Sequence, residues 1–212
     1  MKNPVQSMAK FAVMLLVAAI SVTSCKKKTD DPAPVENEDI TEVLVTLTNA
    51  TTPSDVVTYR AFFAKGYSQA ATSAPAYTVT STKQTLTLGA TYNGSVKFLN
   101  GTEDITEEIT DPNPPAADAA EEGAKNHQVY YGFNSAFVSL TYTNNDPNGK
   151  PVGTEFSVRT STTAVAAGSL NLKLIHKPNK AANNATTPYT YSAAANGGST
   201  DVDATFSNVV VQ

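Results

Sequence analysis

The sequence predicts an all-β fold built from antiparallel β-sandwiches. From Ile40 onward, apolar and polar residues alternate with period two in short runs rich in Val, Thr, Tyr and Phe. The first five runs lie at 43–48, 56–63, 77–80, 85–88 and 95–99. Clusters of Asn, Pro, Ser and Gly separate them, a pattern typical of short antiparallel strands joined by turns. Outside 116–125 no helical periodicity exceeds two turns, and such strands bury their apolar faces by packing sheet on sheet.

The second half of the chain repeats this pattern, which predicts two sandwich units in tandem. Residues 138–144 echo 43–49 as an alternating, Thr-rich strand. Further strands are predicted at 127–133, 156–159, 169–176 and 201–211. We place the first unit at 38–134 and the second at 135–212, each within the roughly one hundred residues that one sandwich uses. The echo is short, so a single larger sandwich stays open as the alternative.

One stretch points to a particular class of sandwich. Residues 86–98 place Tyr92 at the start of an alternating run that continues through Val96 and Phe98. The stretch resembles the tyrosine corner of fibronectin type III and immunoglobulin-like sandwiches, in which the hydroxyl bonds back to the preceding backbone. The usual Pro and Thr of that pattern are replaced by Leu88 and Ala90. An ordinary half-buried strand tyrosine beside a glycine turn is the alternative.

The first 24 residues have the composition of a bacterial lipoprotein signal peptide. Lys2 and Lys10 supply positive charge, 11–23 is apolar, and a small residue precedes Cys25, the only cysteine of the chain. The apolar run is shorter than the about 20 residues of a membrane-spanning helix. We therefore expect cleavage before Cys25 and acylation of its thiol, with several chains anchoring the protein at the bacterial outer membrane. A plain secretory peptide is the alternative.

Residues 25–37 are predicted to be a solvated tether, because charge and proline dominate and little apolar surface is available to bury. The Lys-Thr-Asp-Asp run resembles short export signals that send some lipoproteins to the outer face of the outer membrane, although a simple linker explains it equally. Removing the signal leaves 13 basic and 19 acidic residues, a net charge of −6. This excludes a basic stripe for nucleic acid. With Cys25 acylated, disulfides and thiol chemistry are excluded as well.

A long acidic loop is predicted at 100–126, between the strands at 95–99 and 127–133. Loops of this length in compact domains are usually functional or disordered. Its carboxylates repel one another unless a cation offsets them. They are Glu103, Asp104, Glu107, Glu108, Asp111, Asp118, Glu121 and Glu122.

The two histidines of the chain suggest a divalent metal site. His127 ends the acidic loop and His176 lies near a strand end. Imidazole favours zinc, copper, nickel or iron, and with Glu107 and Glu108 the pair would make a transition-metal site. The alternative is a solvated loop with two surface histidines. We interpret Asp201 as a strand-edge residue, because calcium needs a loop of five or more spaced oxygen ligands.

We do not expect an enzyme. The sequence has no Gly-x-Ser-x-Gly elbow, no glycine-rich phosphate loop and no tryptophan on which a sugar could stack. No set of residues meets the requirement for a nucleophile, a base and an orienting group.

Several segments carry a family resemblance. After the Lys-rich residues that follow Cys25 come Thr-Tyr-Asn-Gly-Ser-Val-Lys-Phe-Leu-Asn at 91–100, Glu-Asp-Ile-Thr-Glu-Glu-Ile at 103–109, His-Gln-Val-Tyr-Tyr at 127–131 and Leu-Ile-His-Lys-Pro-Asn-Lys at 174–180. They resemble Bacteroidota outer-membrane lipoproteins that are often labelled type 1 periplasmic binding fold superfamily protein, some of them encoded beside TonB-dependent receptors. The label names a two-lobed α/β fold, whereas the strands here do not alternate with helices.

The resemblance implies a lipid-anchored accessory protein that serves uptake across the outer membrane, with an outer-membrane receptor as a partner. Two hypotheses follow. In the first, the chain is a binding module that presents its acidic loop to a partner protein or a divalent metal. In the second, it is a structural or adhesive spacer without a small ligand.

Overall fold

The structure is a computed structural model that describes residues 39–67, 77–83, 85–114 and 123–212. The predicted signal peptide, Cys25 and the tether lie outside these ranges, as do three of the loop acids, Asp118, Glu121 and Glu122. Strands make up 51% of the described residues and helices 8%, which confirms the all-β prediction. Among the described residues, no helix is both long and apolar enough to cross a membrane.

Two sheets face each other. The first has the strand order β3-β2-β1-β5-β9-β8, with the short β6 added beside β5. Its strands are antiparallel and comprise β1 (Glu42–Asn49), β2 (Val56–Phe62), β3 (Thr78–Ser81), β5 (Thr91–Asn100), β6 (Glu103–Asp104), β8 (Phe137–Tyr142) and β9 (Glu155–Thr160).

The second sheet has the order β4-β11-β10-β7. It comprises β4 (Thr85–Leu86), β7 (His127–Phe133), β10 (Val165–His176) and β11 (Ser199–Val211). Its pairs are antiparallel except for the two-residue parallel contact of β4 with β11. Three short helices lie in the connections: α1 (Thr106–Thr110), a 3-10 turn (Lys180–Ala182) and α2 (Ala193–Asn196).

The core lies between the two sheets and follows the predicted alternation. In β1 every second residue is fully buried, beginning with Val43, and the residues between them are only partly buried. Across the core, the rings of Tyr59 on β2 and Phe206 on β11 lie 5.7 Å apart. One continuous apolar cluster therefore joins the sheets. Each sheet has one apolar face, and packing the two faces together removes them from water.

The prediction of two tandem units is not confirmed. Both sheets contain strands from each side of the predicted boundary at 134/135: β9 of the second half pairs with β5 of the first, and β10 pairs with β7. From residue 39 onward, the described chain belongs to one compact unit with its own core. The architecture is thus the alternative of a single larger sandwich.

The hydrogen bond predicted for Tyr92 is present. The hydroxyl of Tyr92 accepts from the backbone N–H of Thr87 at 2.9 Å and donates to Oδ2 of Asp55 at 2.6 Å. Lys83 also binds Asp55, at 2.8 Å. Hydrogen bonds from Lys83 and Tyr92 hold the pKa of the Asp55 carboxyl well below its usual range. The bonds tie the β4–β5 connection to the β1–β2 turn.

The acidic segment is only partly a loop. Its first residues form β6, which continues the first sheet, and α1, whose Ile109 is fully buried. Residues 123–126 form a turn that leads into β7. The segment is therefore anchored to the sandwich at both of its described ends.

Candidate functional site

The two histidines meet at one end of the second sheet. His127 is the first residue of β7, His176 is the last of β10, and the two are direct cross-strand partners. Side chains alternate between faces along a strand, and each histidine is two residues from a core residue, Val129 or Leu174. Both imidazoles therefore face inward, with exposed fractions of only 1% and 5%. Their rings stack at 4.8 Å with an interplanar angle of 14°.

A bulge in β11 adds a carboxylate to this pair. Leu174 is opposite Val202 and Ile175 is opposite Thr200, so Asp201 is the extra residue of an irregular register. A bulge bends its strand and redirects a side chain that strict alternation would place on the other face. The Asp201 side chain is buried, and its Oδ2 lies 3.8 Å from Nε2 of His127.

The three side chains supply donor atoms of the kind that bind a transition metal, close enough together to converge on one ion. One donor atom from each of His127, His176 and Asp201 lies within 4.8 Å of the other two. Ligand atoms of one tetrahedral zinc ion are about 3.4 Å apart when the bonds are about 2.0–2.1 Å long. The donors therefore need only rotate inward by about an ångström to share an ion, which small χ changes can supply.

The His127 ring is oriented by the backbone. Its Nδ1 lies 3.1 Å from the carbonyl oxygen of Gly123. A carbonyl can only accept, so this contact assigns the proton to Nδ1 and leaves the lone pair of the neutral ring on Nε2, toward Asp201. Metal-binding histidines are commonly held in this way, with the second nitrogen donating to a carbonyl or carboxylate.

The charge balance of the site favours a cation. Nε2 of His127 and Oδ2 of Asp201 lie 3.8 Å apart, and a lone pair and a carboxylate at this distance repel each other unless a positive charge lies between them. Burial makes this repulsion stronger than it would be in water. A positive charge placed between them, whether a proton on the ring or a metal ion, converts the repulsion into attraction.

Tight backbone packing surrounds the pair. Gly198 precedes β11 with φ +81°, and a Cβ there would lie 2.5 Å from the carbonyl oxygen of His176. Only glycine combines that close approach with a left-handed conformation. Lys177, directly after His176, is also left-handed with φ 50°, and its N–H donates to the carbonyl of Asn126 at 2.5 Å. Strained backbone of this kind persists only where the surrounding structure imposes it, and it concentrates at functional sites.

A buried ion pair supports the turn that orients His127. Lys180 is 7% exposed and its ammonium donates to the carbonyl of Ala124 at 2.6 Å and to Oδ2 of Asp146 at 3.2 Å. Burial lowers the pKa of Lys180, and the charge and hydrogen bond of Asp146 act in the opposite direction. The 123–126 turn is thus held from the side opposite to the acidic helix.

The structure separates the predicted metal ligands. It brings His127 and His176 together, but the group that could share an ion includes neither Glu107 nor Glu108. Both glutamates are exposed on α1. Glu107 lines an open groove of about 540 Å³ on the first sheet, together with Asp104.

Asp201 is the ligand candidate that sequence reasoning missed. The interpretation of Asp201 as a strand-edge residue is wrong, because the residue lies within β11 and the bulge buries its side chain beside His127. A same-strand Asp-Val-Asp segment predicts two carboxylates on one face. Gly197 and Gly198 lie immediately before β11 and are the sequence signal for an irregular start of this strand. That signal could have indicated an unusual position for Asp201.

Comparison of the chain with protein-family models, curated proteins and solved structures finds no match.

Proposed function

We propose that this chain is a lipid-anchored, non-enzymatic binding protein of the bacterial outer membrane whose domain holds a divalent transition-metal ion. The observation that carries the metal assignment is the buried group of His127, His176 and Asp201, with the His127 ring oriented by the Gly123 carbonyl. The membrane assignment rests on the lipoprotein signal pattern that ends at Cys25.

The donor set selects the class of ion. Two imidazole nitrogens and one carboxylate suit zinc, copper, nickel or iron, whereas calcium and magnesium prefer six or more oxygens. Zinc is the simplest occupant because it imposes no redox chemistry and accepts a tetrahedral site. We therefore expect zinc and copper to bind more tightly than calcium by orders of magnitude.

Burial supports holding an ion rather than catalysis with it. The three side chains are at most 5% exposed. Three protein ligands leave one position of a tetrahedral ion for water, but a catalytic metal also needs a route by which a substrate can reach that position, and the burial of all three ligands argues against such a route. An enclosed ion stabilises the fold that binds it, since apo-protein folding and metal binding become one equilibrium.

Calorimetric titration of the fragment 38–212 with zinc, copper and calcium tests the proposal, because this fragment contains every residue of the compact unit that the structure describes. We expect zinc binding at micromolar or tighter dissociation constants. The double variant H127A/H176A should abolish it. D201N removes the charge of a ligand itself and should weaken binding by more than the about 10- to 100-fold that loss of a ligand's supporting partner costs. Circular dichroism of each variant checks that the sandwich is intact.

A matched control separates the structure-based ligand set from the sequence-based one. The variant E107Q/E108Q removes two acidic charges from α1 without touching the buried group. It should bind zinc as the unchanged fragment does. Zinc affinity lost in this variant but kept in D201N would refute the assignment of Asp201.

Absence of binding heat for all three ions would refute the metal function. The structural or adhesive spacer would then be the better proposal. Partners would be sought among outer-membrane receptor proteins, with the acidic surface of α1 as the first candidate contact.

A further inference from the structure

The 123–126 turn is the point where the candidate metal site meets the acidic helix. On one side, the Gly123 carbonyl accepts from Nδ1 of His127 at 3.1 Å. On the other side, the Gly123 N–H donates to the carbonyl of Glu108 at 2.6 Å, and the Ala124 N–H donates to the carbonyl of Asp111 at 2.9 Å. One peptide segment thus binds a candidate ligand and the last turn of α1 at the same time.

The turn packs closely against the residues at the end of α1. Gly123 has φ +86°, and a Cβ on it would lie 2.7 Å from the carbonyl oxygen of Asp111 and 2.8 Å from Cγ of Pro114. Close-packed contacts of this kind do not deform continuously; a shift on one side displaces the other. The turn and the C-terminal end of α1 therefore move as one body.

The ion acts on this body through the His127 ring. An ion bound at Nε2 fixes the ring plane and withdraws electron density from it, which makes Nδ1–H a stronger donor to the Gly123 carbonyl. Without an ion at Nε2, the ring loses this constraint, and the contact of Nδ1 with the Gly123 carbonyl is held less firmly. Rotation of the ring breaks the bond to Gly123 and removes one of the contacts that hold the turn to the second sheet.

We infer that metal occupancy and the position of α1 form a linked equilibrium, in which the bound ion fixes the 123–126 turn and thereby the helix that carries Glu107 and Glu108. This inference rests on the proposed metal function and adds its regulation: the acidic surface is held in one arrangement in the metal-bound protein and is loosened in the apo protein. A partner that recognises this surface consequently responds to the metal.

Linkage is reciprocal, so the inference can be tested from the side of the turn. The variant G123A leaves all three ligands intact and forces the turn away from Asp111 and Pro114. We expect its zinc affinity, measured by calorimetry on the fragment 38–212, to fall about 10- to 100-fold, as for loss of a group that orients a metal-binding histidine.

Gly101 supplies the matched control. It has φ +61°, it lies in the turn between β5 and β6, and a Cβ there would meet nothing within 4 Å. The variant G101A therefore carries the same backbone penalty without displacing the 123–126 turn. Its zinc affinity should equal that of the unchanged fragment.

Hydrogen exchange supplies the readout on the helix. In the unchanged fragment, zinc should slow exchange of the Gly123 and Ala124 amides about tenfold or more relative to the chelator-treated protein, because both amides donate to α1. Amides of β1 and β2, which lie in the other sheet, should not change. In D201N, zinc at the same concentration should have little effect on Gly123 and Ala124.

The outcomes distinguish this inference from the proposed function. Zinc binding with unchanged exchange at Gly123 and Ala124 and with full affinity in G123A would overturn the linkage and leave the metal function standing. Absence of zinc binding in the unchanged fragment would overturn both. The linkage is supported if zinc slows exchange at these two amides and if zinc affinity falls in G123A but not in G101A.

Discussion

Two tyrosine hydroxyls in the same core allow a direct test of how burial and hydrogen bonding contribute to stability. Tyr59 is 2% exposed, and its hydroxyl has no hydrogen-bond partner within the described residues. The hydroxyl of Tyr92 makes two hydrogen bonds, to Thr87 and Asp55. Burial raises the pKa of Tyr59 well above its usual value, with a smaller contribution from Tyr92. The same substitution, tyrosine to phenylalanine, should therefore have opposite effects at the two positions.

The expected magnitudes follow from the contacts. A buried hydroxyl without a partner costs about 1–3 kcal/mol, and phenylalanine keeps the ring that packs on Phe206, so Y59F should stabilise the fold by about 1 kcal/mol. Y92F removes a bond to a carboxylate and leaves the Thr87 N–H without its acceptor. It should destabilise the fold by about 2 kcal/mol.

Urea unfolding of the fragment 38–212 and of both variants, with the slope m held common, provides the assay. With m of about 1–3 kcal/mol/M, Y59F should move the midpoint up by about 0.3–1 M, and Y92F should move it down by more. Thermal midpoints should follow with about 2–4 °C per kcal/mol for a domain of this size. If Y59F lowers the midpoint as Y92F does, the Tyr59 hydroxyl has a partner in solution and the reasoning is refuted.

Two further predictions concern close packing and pH. A Cβ at Gly94 would lie 2.2 Å from the ring of Phe156, so G94A should destabilise the fold by about 1–3 kcal/mol in urea unfolding. G132A is the near-neutral comparison, because a Cβ at Gly132 would meet its nearest neighbour, Cβ of Asn171, at 3.6 Å; equal midpoints for the two variants would contradict the contact. The folded-state pKa of Asp55 is lowered, so its stabilising contribution is fully present above the unfolded-state pKa of about 3.9 and is lost progressively as the pH falls from there through the lower folded-state pKa. D55N should therefore be less stable than the unchanged fragment at pH 6, and the difference in the free energy of unfolding should begin to shrink below about pH 4 and continue to shrink with further acidification. A difference that stays constant on acidification would argue against this role.

The proposed metal site changes how the acidic segment is understood. Sequence reasoning connected the histidines to the loop because both carry metal-binding groups. In the structure the connection runs through the backbone of Gly123, and Glu107 and Glu108 are exposed and are not part of the buried group. The acidic surface and the buried group are therefore two features that can act together without sharing an ion.

The sequence predicted most of the strands. The strand predicted at 127–133 is β7 (His127–Phe133), and the strand predicted at 201–211 lies inside β11 (Ser199–Val211). Period-two alternation is a local property of a strand with one buried face, so it survives in the sequence whatever the partner strands are. The tyrosine-corner hydrogen bond was accessible for the same reason, because Tyr92 and Thr87 are close in the chain.

The sequence did not predict which strands pair with one another. The similarity of 138–144 to 43–49 suggested a repeated unit, yet β8 and β1 are strands of one sheet. Alternating Thr-rich strands resemble one another because the same surface requirements act on each, and this resemblance contains no information about pairing.

The sequence by itself determined that the chain is a β-sandwich, where most strands lie, and which residue types could bind a metal. Only the tertiary structure decided that His127 and His176 are cross-strand neighbours and that Asp201, not Glu107 or Glu108, is the carboxylate beside them. The physical reason is that strand register and a single bulge set these contacts. A shift of one residue in register exchanges the buried face for the exposed face, and nothing in the local pattern around each residue specifies that register.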